Sequence, residues 1–180
     1  MPVVVIFGTS VAKPDSREYD AAERIGCLLA EQNIDIATGG YGGVMEATLR
    51  GASNFDVRRI GVVNKDESHR QVNKYVTELI ETNTYIDRLI KLIGIANAYI
   101  VLSGGTGTLL ELAAAWALLE RKLIVDKPIV CLGDQWYQIA QIMGFYSEKT
   151  IDRLEIIYHA ESVEHATGII LKYLSHKYNS

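Results

Sequence analysis

Short apolar segments alternate with longer helical patterns along the whole chain, and this alternation limits the fold more than any other feature of the sequence. The first segment, Val3–Phe7, is continuous and rich in β-branched residues, which is typical of a strand buried on both faces. Between Tyr19 and Gln32, apolar residues recur at helical spacing and predict an amphipathic helix. Further strands are predicted at Ile34–Ala37, Arg59–Val63, Tyr75–Ile80, Tyr99–Leu102, Ile129–Leu132 and Ile156–Tyr158. Further helices are predicted at Val44–Gly51, from Thr84 to about Ala96, and at Thr108–Leu119, Gln135–Met143 and Ser162–Leu174.

Strands that alternate with helices favour a parallel sheet covered by helices on both faces, with right-handed connections. The chain of 180 residues has the length of one domain, and no linker rich in Pro, Gly or Ser divides it. We therefore predict an α/β fold, a single domain over residues 1–180 with a doubly wound, Rossmann-like parallel sheet. In such sheets, ligands bind beyond the carboxyl ends of the strands, where the strand order reverses.

Composition and charge exclude several classes of protein. Hydrophobic residues make up 48% of the chain and charged residues 22%, which is ordinary for a globular protein and excludes a disordered one. The formal net charge of −4 argues against a nucleic-acid partner, because proteins that bind nucleic acids normally carry a basic excess. No apolar stretch approaches the roughly 18 residues of a membrane span, and the N-terminus shows no signal sequence. We expect a soluble, cytoplasmic protein without a membrane partner.

The cysteines and histidines predict neither a disulfide framework nor a metal site. Cys27 and Cys131 lie far apart in the sequence, which fits a reducing cytosol. The four histidines are scattered and never fall at i, i+4, the spacing of a zinc-ligand pair on a helix. We therefore expect no bound metal.

Two glycine clusters lie at the places where such a fold binds ligands. Residues Thr38–Gly43 and Ser103–Thr108 each follow a predicted strand and precede a predicted helix. Glycine lets a ligand approach the backbone, and a helix N-terminus offers free N–H groups and a partial positive charge, a combination suited to phosphate. For either cluster alone, a tight turn without a ligand is the alternative. Phosphate or nucleotide contacts are predicted from Gly39, Gly40, Gly42 and Gly43, and from Gly104, Gly105, Thr106, Gly107 and Thr108.

Neither cluster matches the better-known nucleotide fingerprints. The first strand is followed by residues 8–12, Gly-Thr-Ser-Val-Ala, which is not the G-x-G-x-x-G of dinucleotide-binding proteins. A G-x-x-x-x-G-K-[ST] motif is also absent from the sequence. A dinucleotide-dependent dehydrogenase or a P-loop NTPase is therefore disfavoured, and a site for a mononucleotide or a sugar phosphate remains.

Two charged residues, Glu111 and Arg88, have both a structural and a functional interpretation. Glu111 follows Thr108 by three residues, the spacing of a capping box, and spacing alone favours capping over catalysis. Arg88 directly follows a second capping-box pattern, Thr84–Asp87, and an arginine at such a position usually faces solvent.

These residues together resemble the LONELY GUY family. The second cluster and Glu111 resemble its P-G-G-x-G-T-x-x-E signature, and the first cluster with Met45 resembles its G-G-G-x-x-G-x-M segment. Phe7–Ser10 is similar to the C-G-S-S that follows the family's first strand. The family's catalytic arginine falls on Arg88, 23 residues before Glu111, and the likeness extends over nearly the whole chain.

The resemblance implies a phosphoribohydrolase, which cleaves the N-glycosidic bond of a nucleoside 5′-monophosphate and releases the free base and ribose 5-phosphate. The substrate would be a cytokinin riboside monophosphate or AMP, with no cofactor. Arg88 and Glu111 are the implied catalytic residues, and Gly8, Thr9, Ser10 and Met45 are implied nucleotide contacts. By the same analogy, Tyr41, Met45 and Tyr85 are candidates for the base pocket. The family's homodimer is expected as well, and the apolar pattern of residues 112–119 is compatible with either a subunit interface or a buried helix.

Four residues depart from the family pattern. Ser103 replaces the proline of the signature, Leu110 replaces the glutamate before Glu111, Leu89 replaces the lysine after the arginine, and Thr38 replaces the first glycine. Other branches of the family bind a nucleotide or carry a cofactor without catalysis. The alternative function is therefore a non-catalytic binding or carrier protein for a nucleotide or the molybdenum cofactor. Whether Arg88 contacts the base, the phosphate or Glu111 also stays open.

Overall fold

Seven parallel strands form one sheet in the part of the chain that the structure, a computed structural model, describes: residues 1–67, 69–145 and 156–178. The strands are β1 Val3–Phe7, β2 Asp35–Thr38, β3 Arg59–Asn64, β4 Glu78–Thr82, β5 Ala98–Val101, β6 Ile129–Leu132 and β7 Ile157–Ala160. Their order across the sheet is β4-β3-β2-β1-β5-β6-β7. The predicted doubly wound α/β fold is confirmed.

Six α-helices within the described residues connect these strands and cover the sheet. They are α1 Arg17–Ala30, α2 Val44–Gly51, α3 Tyr85–Ile95, α4 Thr106–Glu120, α5 Asp134–Phe145 and α6 Val163–Tyr178. None of the described helices combines the length and the apolar character that crossing a bilayer requires. A short 3₁₀ helix, Lys65–Glu67, follows β3 and was not predicted from the sequence.

The side chains of β1 divide the core between the two faces of the sheet. Val4 and Ile6 pack into the core that α1, α2 and α6 cover, whereas Val5 and Phe7 pack into the core beneath α3, α4 and α5. Every residue of β1 is buried, as its unbroken apolar run predicts.

The predicted elements form with boundaries that shift by a few residues, and the largest shift is in β4. Tyr75–Ile80 was predicted, but the strand is Glu78–Thr82. Among the described residues this strand pairs with β3 alone, at the edge of the sheet. Leu79 is 47% exposed, so burial imposes little apolar pattern on the strand.

The strand order reverses between β1 and β5. From β1 the chain proceeds to β2, β3 and β4 on one side, and it returns to the other side of β1 with β5. The loops after β1 and β5 therefore flank a crevice at the carboxyl edge, which is where ligands bind in open α/β sheets. Residues 8–10 lie in the first of these loops, and the second glycine cluster spans the other loop and the start of α4.

Candidate functional site

A cavity of about 360 Å³ opens at this reversal point. Its walls come from the loops after β1, β2 and β5, from the segment after β3, and from the first turns of α3 and α4. The lining residues are 6–11, Gly39, Met45, Glu67, Arg70, Tyr85, Arg88, 105–108 and Glu111. The cavity thus brings together most of the residues singled out from the sequence.

The N-terminus of α4 forms one wall and is suited to an anion. Gly105 is the N-cap, and no side chain caps the helix. The first N–H groups of a helix lack intrahelical acceptors. Apart from neighbours along the chain, no described atom lies within 4 Å of the position that a Cβ atom on Gly105 would take. A Cβ atom on Gly107 would have one such neighbour among the described atoms, the Tyr85 hydroxyl at 3.5 Å. Free donors beside open space at a helix N-terminus are the usual features of a phosphate site.

Gly104 supports this wall from behind and does not line the cavity. Its N–H donates to Oε1 of Gln135 at 3.2 Å, and its carbonyl accepts from Nε2 of Gln135 at 2.9 Å. A Cβ on Gly104 would collide with the side chain of Thr108. Gln135 thus fixes the loop before α4, a role that the sequence pattern did not indicate.

Only part of the first glycine cluster reaches the cavity. Gly39 and Met45 line it, but Gly40, Gly42 and Gly43 do not. Gly40 has a positive φ of 76° and packs against β3. Gly43 has a φ of 66°, and any side chain there would press on the backbone of residues 9 and 10. Gly40 and Gly43 shape the backbone that supports the site. Ligand contacts from Gly40, Gly42 and Gly43 stay a prediction.

Arg88 lies inside the protein and contacts Glu111. The Thr84–Asp87 capping box forms as the sequence predicts, yet Arg88 is only 4% exposed, so the expectation of a solvent-facing arginine is wrong. Nε of Arg88 donates to the carbonyl of Val62 at 2.8 Å. Its Nη1 lies 3.5 Å from Oε1 of Glu111.

Glu111 does not cap its helix. Because α4 begins at Thr106, two residues before the predicted start, Glu111 stands beyond the first turn and the Thr108–Glu111 capping box does not form. The side chain is buried, and this burial raises the pKa of Glu111 to about 7, although the Arg88 cation opposes the shift. A carboxyl group with a pKa near neutrality, facing a cavity, is typical of functional sites.

Two cavity residues were missed from the sequence, Glu67 and Arg70. Oε2 of Glu67 accepts from Nδ2 of Asn64 at 2.8 Å, and Oε1 accepts from Nη1 of Arg70 at 3.0 Å. The guanidinium of Arg70 lies 4.0 Å from the ring centre of Tyr41. Tyr41 itself does not line the cavity, whereas Tyr85 does. The polar run of residues 64–70 directly after a buried strand was the available signal.

The charged groups that line the cavity are balanced between acids and bases. Arg70 and Arg88 face Glu67 and Glu111 within the same lining. Among the described residues, no group of three or more His, Cys, Asp or Glu side chains is arranged to hold a metal ion. Together with the open N-terminus of α4, the arrangement is suited to a polar anion.

The amino-acid sequence of this chain is similar to that of a curated enzyme and matches a family model. It is 32% identical over 149 residues to the cytokinin riboside 5′-monophosphate phosphoribohydrolase of Mycobacterium marinum, an alignment that covers 81% of this chain and 77% of that protein. It also matches the SLOG cluster4 family over residues 1–167.

Solved structures share the fold. The molybdenum cofactor binding protein of Rippkaea orientalis superposes with a TM-score of 0.77 at 23% identity, covering 96% of this chain and 97% of that one. The molybdenum cofactor carrier protein of Chlamydomonas reinhardtii superposes with a TM-score of 0.72 at 21% identity, covering 97% of this chain and 99% of that one. At these identities the likeness shows the fold alone. The match over residues 1–167 shows that the chain belongs to the SLOG cluster4 family.

Proposed function

We propose that this protein is a phosphoribohydrolase, which binds a nucleoside 5′-monophosphate and hydrolyses its N-glycosidic bond to give the free base and ribose 5-phosphate. The observation that carries the proposal is the buried pair of Arg88 and Glu111 in the cavity that the open N-terminus of α4 also lines. The relative from Mycobacterium marinum, named for this activity, supports it. AMP and a cytokinin riboside monophosphate are the proposed substrates.

The phosphate binds at the first turn of α4. The N–H groups of residues 106–108 and the hydroxyl groups of Thr106 and Thr108 supply donors, and the macrodipole of the helix adds a partial positive charge. Thr9 and Ser10 line the same cavity from the loop after β1 and add hydroxyl groups. These phosphate contacts are remote from the reacting bond, and their binding energy fixes the position of the ribose.

Glu111 acts on the sugar in its ionised form. Breaking the bond between C1′ and the base nitrogen leaves the electron pair on the base and develops positive charge on the ribose, which a nearby carboxylate stabilises. A water molecule then adds to C1′, and its proton passes to the departing base. Arg88 favours the ionised form of Glu111, because its cation opposes the rise of the Glu111 pKa that burial causes.

A second candidate function is the binding or transport of a phosphorylated ligand without turnover. Leu110, where the signature of the active enzymes has a second glutamate, favours this candidate. The names of the structural neighbours from Rippkaea orientalis and Chlamydomonas reinhardtii point the same way, towards the molybdenum cofactor as cargo.

Incubation with AMP and with isopentenyladenosine 5′-monophosphate, followed by chromatography for the free base, separates the two functions. The proposal expects free base from at least one of them, and it expects Glu111→Gln to lose turnover while still binding the nucleotide. Glu78→Gln is the matched control, because Glu78 lies half-exposed at the far end of β4 and pairs with Arg58. Binding without any free base from common monophosphates would favour the carrier. Normal turnover by Glu111→Gln would exclude Glu111 from catalysis.

A homodimer is part of the proposal. Ile86 and Ile90 on the outer face of α3 are 59% and 54% exposed, and Leu109 and Leu110 on α4 are 39% and 41% exposed. Helices α3 and α4 contact each other, and each carries exposed apolar side chains. Exposed apolar groups of this kind often mark subunit interfaces.

A further inference from the structure

We propose that Glu67 recognises the 2′,3′-diol of the ribose, held in place by Asn64 and Arg70. The inference rests on the proposed function, since it assigns a sugar contact to the cavity in which a nucleotide is proposed to bind. The site is a carboxylate in the lining of the same cavity, in a segment outside the motifs that carry the family resemblance.

Glu67 is held from three directions before any ligand arrives. Its two carboxylate oxygens accept separate hydrogen bonds, Oε2 from Asn64 at 2.8 Å and Oε1 from Arg70 at 3.0 Å. Its own backbone N–H donates to Oδ1 of Asn64 at 3.1 Å. The side chain is 22% exposed although it lies on the wall of a cavity. A carboxylate fixed this way loses little conformational entropy when it binds a further group.

The carboxylate of Glu67 retains capacity for two more hydrogen bonds. An ionised carboxylate offers about four acceptor positions, and the described contacts occupy one on each oxygen. Two vicinal hydroxyl groups donate to two oxygens of one carboxylate, and acidic side chains recognise ribose hydroxyls in dinucleotide-binding folds in this manner. Backbone N–H groups and arginine, by contrast, suit the phosphate.

Arg70 cannot easily leave Glu67 for the phosphate. Its guanidinium lies 4.0 Å from the ring centre of Tyr41, and Tyr41 is itself only 2% exposed. The ion pair with Glu67 and this cation–π contact hold the guanidinium at two places. Arg70 is therefore a positioning residue for Glu67.

Glu67 and Glu111 act on adjacent parts of the same sugar. Both line the cavity, and burial is the main cause of the raised pKa of Glu111, to which the negative charge of Glu67 adds. In a ribose, C2′ is bonded to C1′, the carbon on which Glu111 is proposed to act. A second carboxylate in the same cavity lining as Glu111 is thus suited to the diol.

The test compares ribose 5-phosphate with 2-deoxyribose 5-phosphate by titration calorimetry, because these probes contain no base. We expect the wild-type protein to prefer the ribose by about tenfold or more, the scale of a hydrogen bond to a charged group. Glu67→Ala should reduce this preference to within about threefold, and Arg70→Met should reduce it partly. Glu78→Gln, the matched control on β4, should keep the full preference.

The outcomes separate this inference from the proposed function. If Glu67→Ala weakens both probes equally and keeps the preference for ribose, Glu67 has only a structural role and the inference is wrong. If neither probe nor AMP binds the wild-type protein, this result contradicts the proposed function itself and not only the assignment of Glu67. AMP and 2′-deoxy-AMP, which differ only in the 2′-hydroxyl group, provide the same comparison with the base present. If the wild-type protein shows no preference for the ribose in either pair, the inference is wrong.

Discussion

A Cβ atom on Gly39 would collide with Nη2 of Arg88, so the missing side chain at Gly39 creates the space that the buried guanidinium fills. We predict that Gly39→Ala displaces Arg88 from Glu111 and lowers turnover by about a hundredfold, the scale of losing one positioned donor. The fold should survive, because the end of a side chain moves more easily than backbone. Turnover of AMP and thermal unfolding measure the two effects.

Gly94→Ala is the matched control for this substitution. Gly94 lies exposed in α3, and nothing stands within 4 Å of its Cβ position. Alanine there should leave turnover unchanged and stabilise the helix by up to about 1 kcal/mol. Full turnover by Gly39→Ala would mean that the position of Arg88 does not matter for the reaction.

The raised pKa of Glu111 predicts a pH-dependent stability. The pKa of Glu111 is about 7 in the folded protein, against an ordinary value of 4.5. Between pH 4.5 and pH 7, the folded state therefore holds a proton that the unfolded state has released. The stability from this group is fully present below pH 4.5 and is lost as the pH rises to about 7. The free energy of unfolding of Glu111→Gln minus that of the wild type should therefore increase by up to about 3 kcal/mol over this window. Urea unfolding at fixed protein concentration measures it, and a difference that stays flat with pH would contradict the prediction.

Gln135 should control phosphate affinity without touching the ligand. Its two hydrogen bonds to Gly104 fix the loop before α4. Gln135→Leu keeps a similar volume but neither bond, so we expect the dissociation constant for ribose 5-phosphate to rise about fivefold or more. Gln138→Leu, an exposed position on the same helix, is the control and should bind normally. Equal affinities in the two variants would show that the loop keeps its shape without Gln135.

The exposed apolar side chains of α3 and α4 predict a dimer. Light scattering should give twice the 20.0 kDa mass of the chain for the wild type. Ile86 and Ile90 lie one turn apart on the outer face of α3, and replacing both by lysine should give a monomer, because a charge buried in an apolar interface is costly. Leu79→Lys, at an exposed position on β4, should remain a dimer. A monomeric wild type would contradict this prediction.

The sheet was predictable from the sequence because burial on two faces imposes an unbroken apolar run, as in Val3–Phe7. The glycine clusters were predictable for a related reason, since a backbone that meets a ligand or another backbone excludes side chains. The edge strand β4 was less predictable, because its half-exposed residues are under weaker constraint.

The charged residues of the site were harder to predict. A shift of two residues in the start of α4 decides whether Glu111 caps the helix or enters the cavity, and local spacing does not fix that start. The inward orientation of Arg88 depends on Val62 and Gly39, which lie far from it in sequence. Glu67 and Arg70 belong to a polar segment whose partner, Tyr41, is supplied by another loop.

The division of the cavity wall has a consequence for how such proteins diversify. The turn of α4 and the acid it carries come from one stretch of chain, whereas Glu67 and Arg70 come from the short connection between β3 and β4. Under the proposed function, exchanging that connection alone would alter which sugars bind, while the proposed phosphate site on α4 and Glu111 stay intact. New substrates therefore lie within reach of a few substitutions in one surface loop.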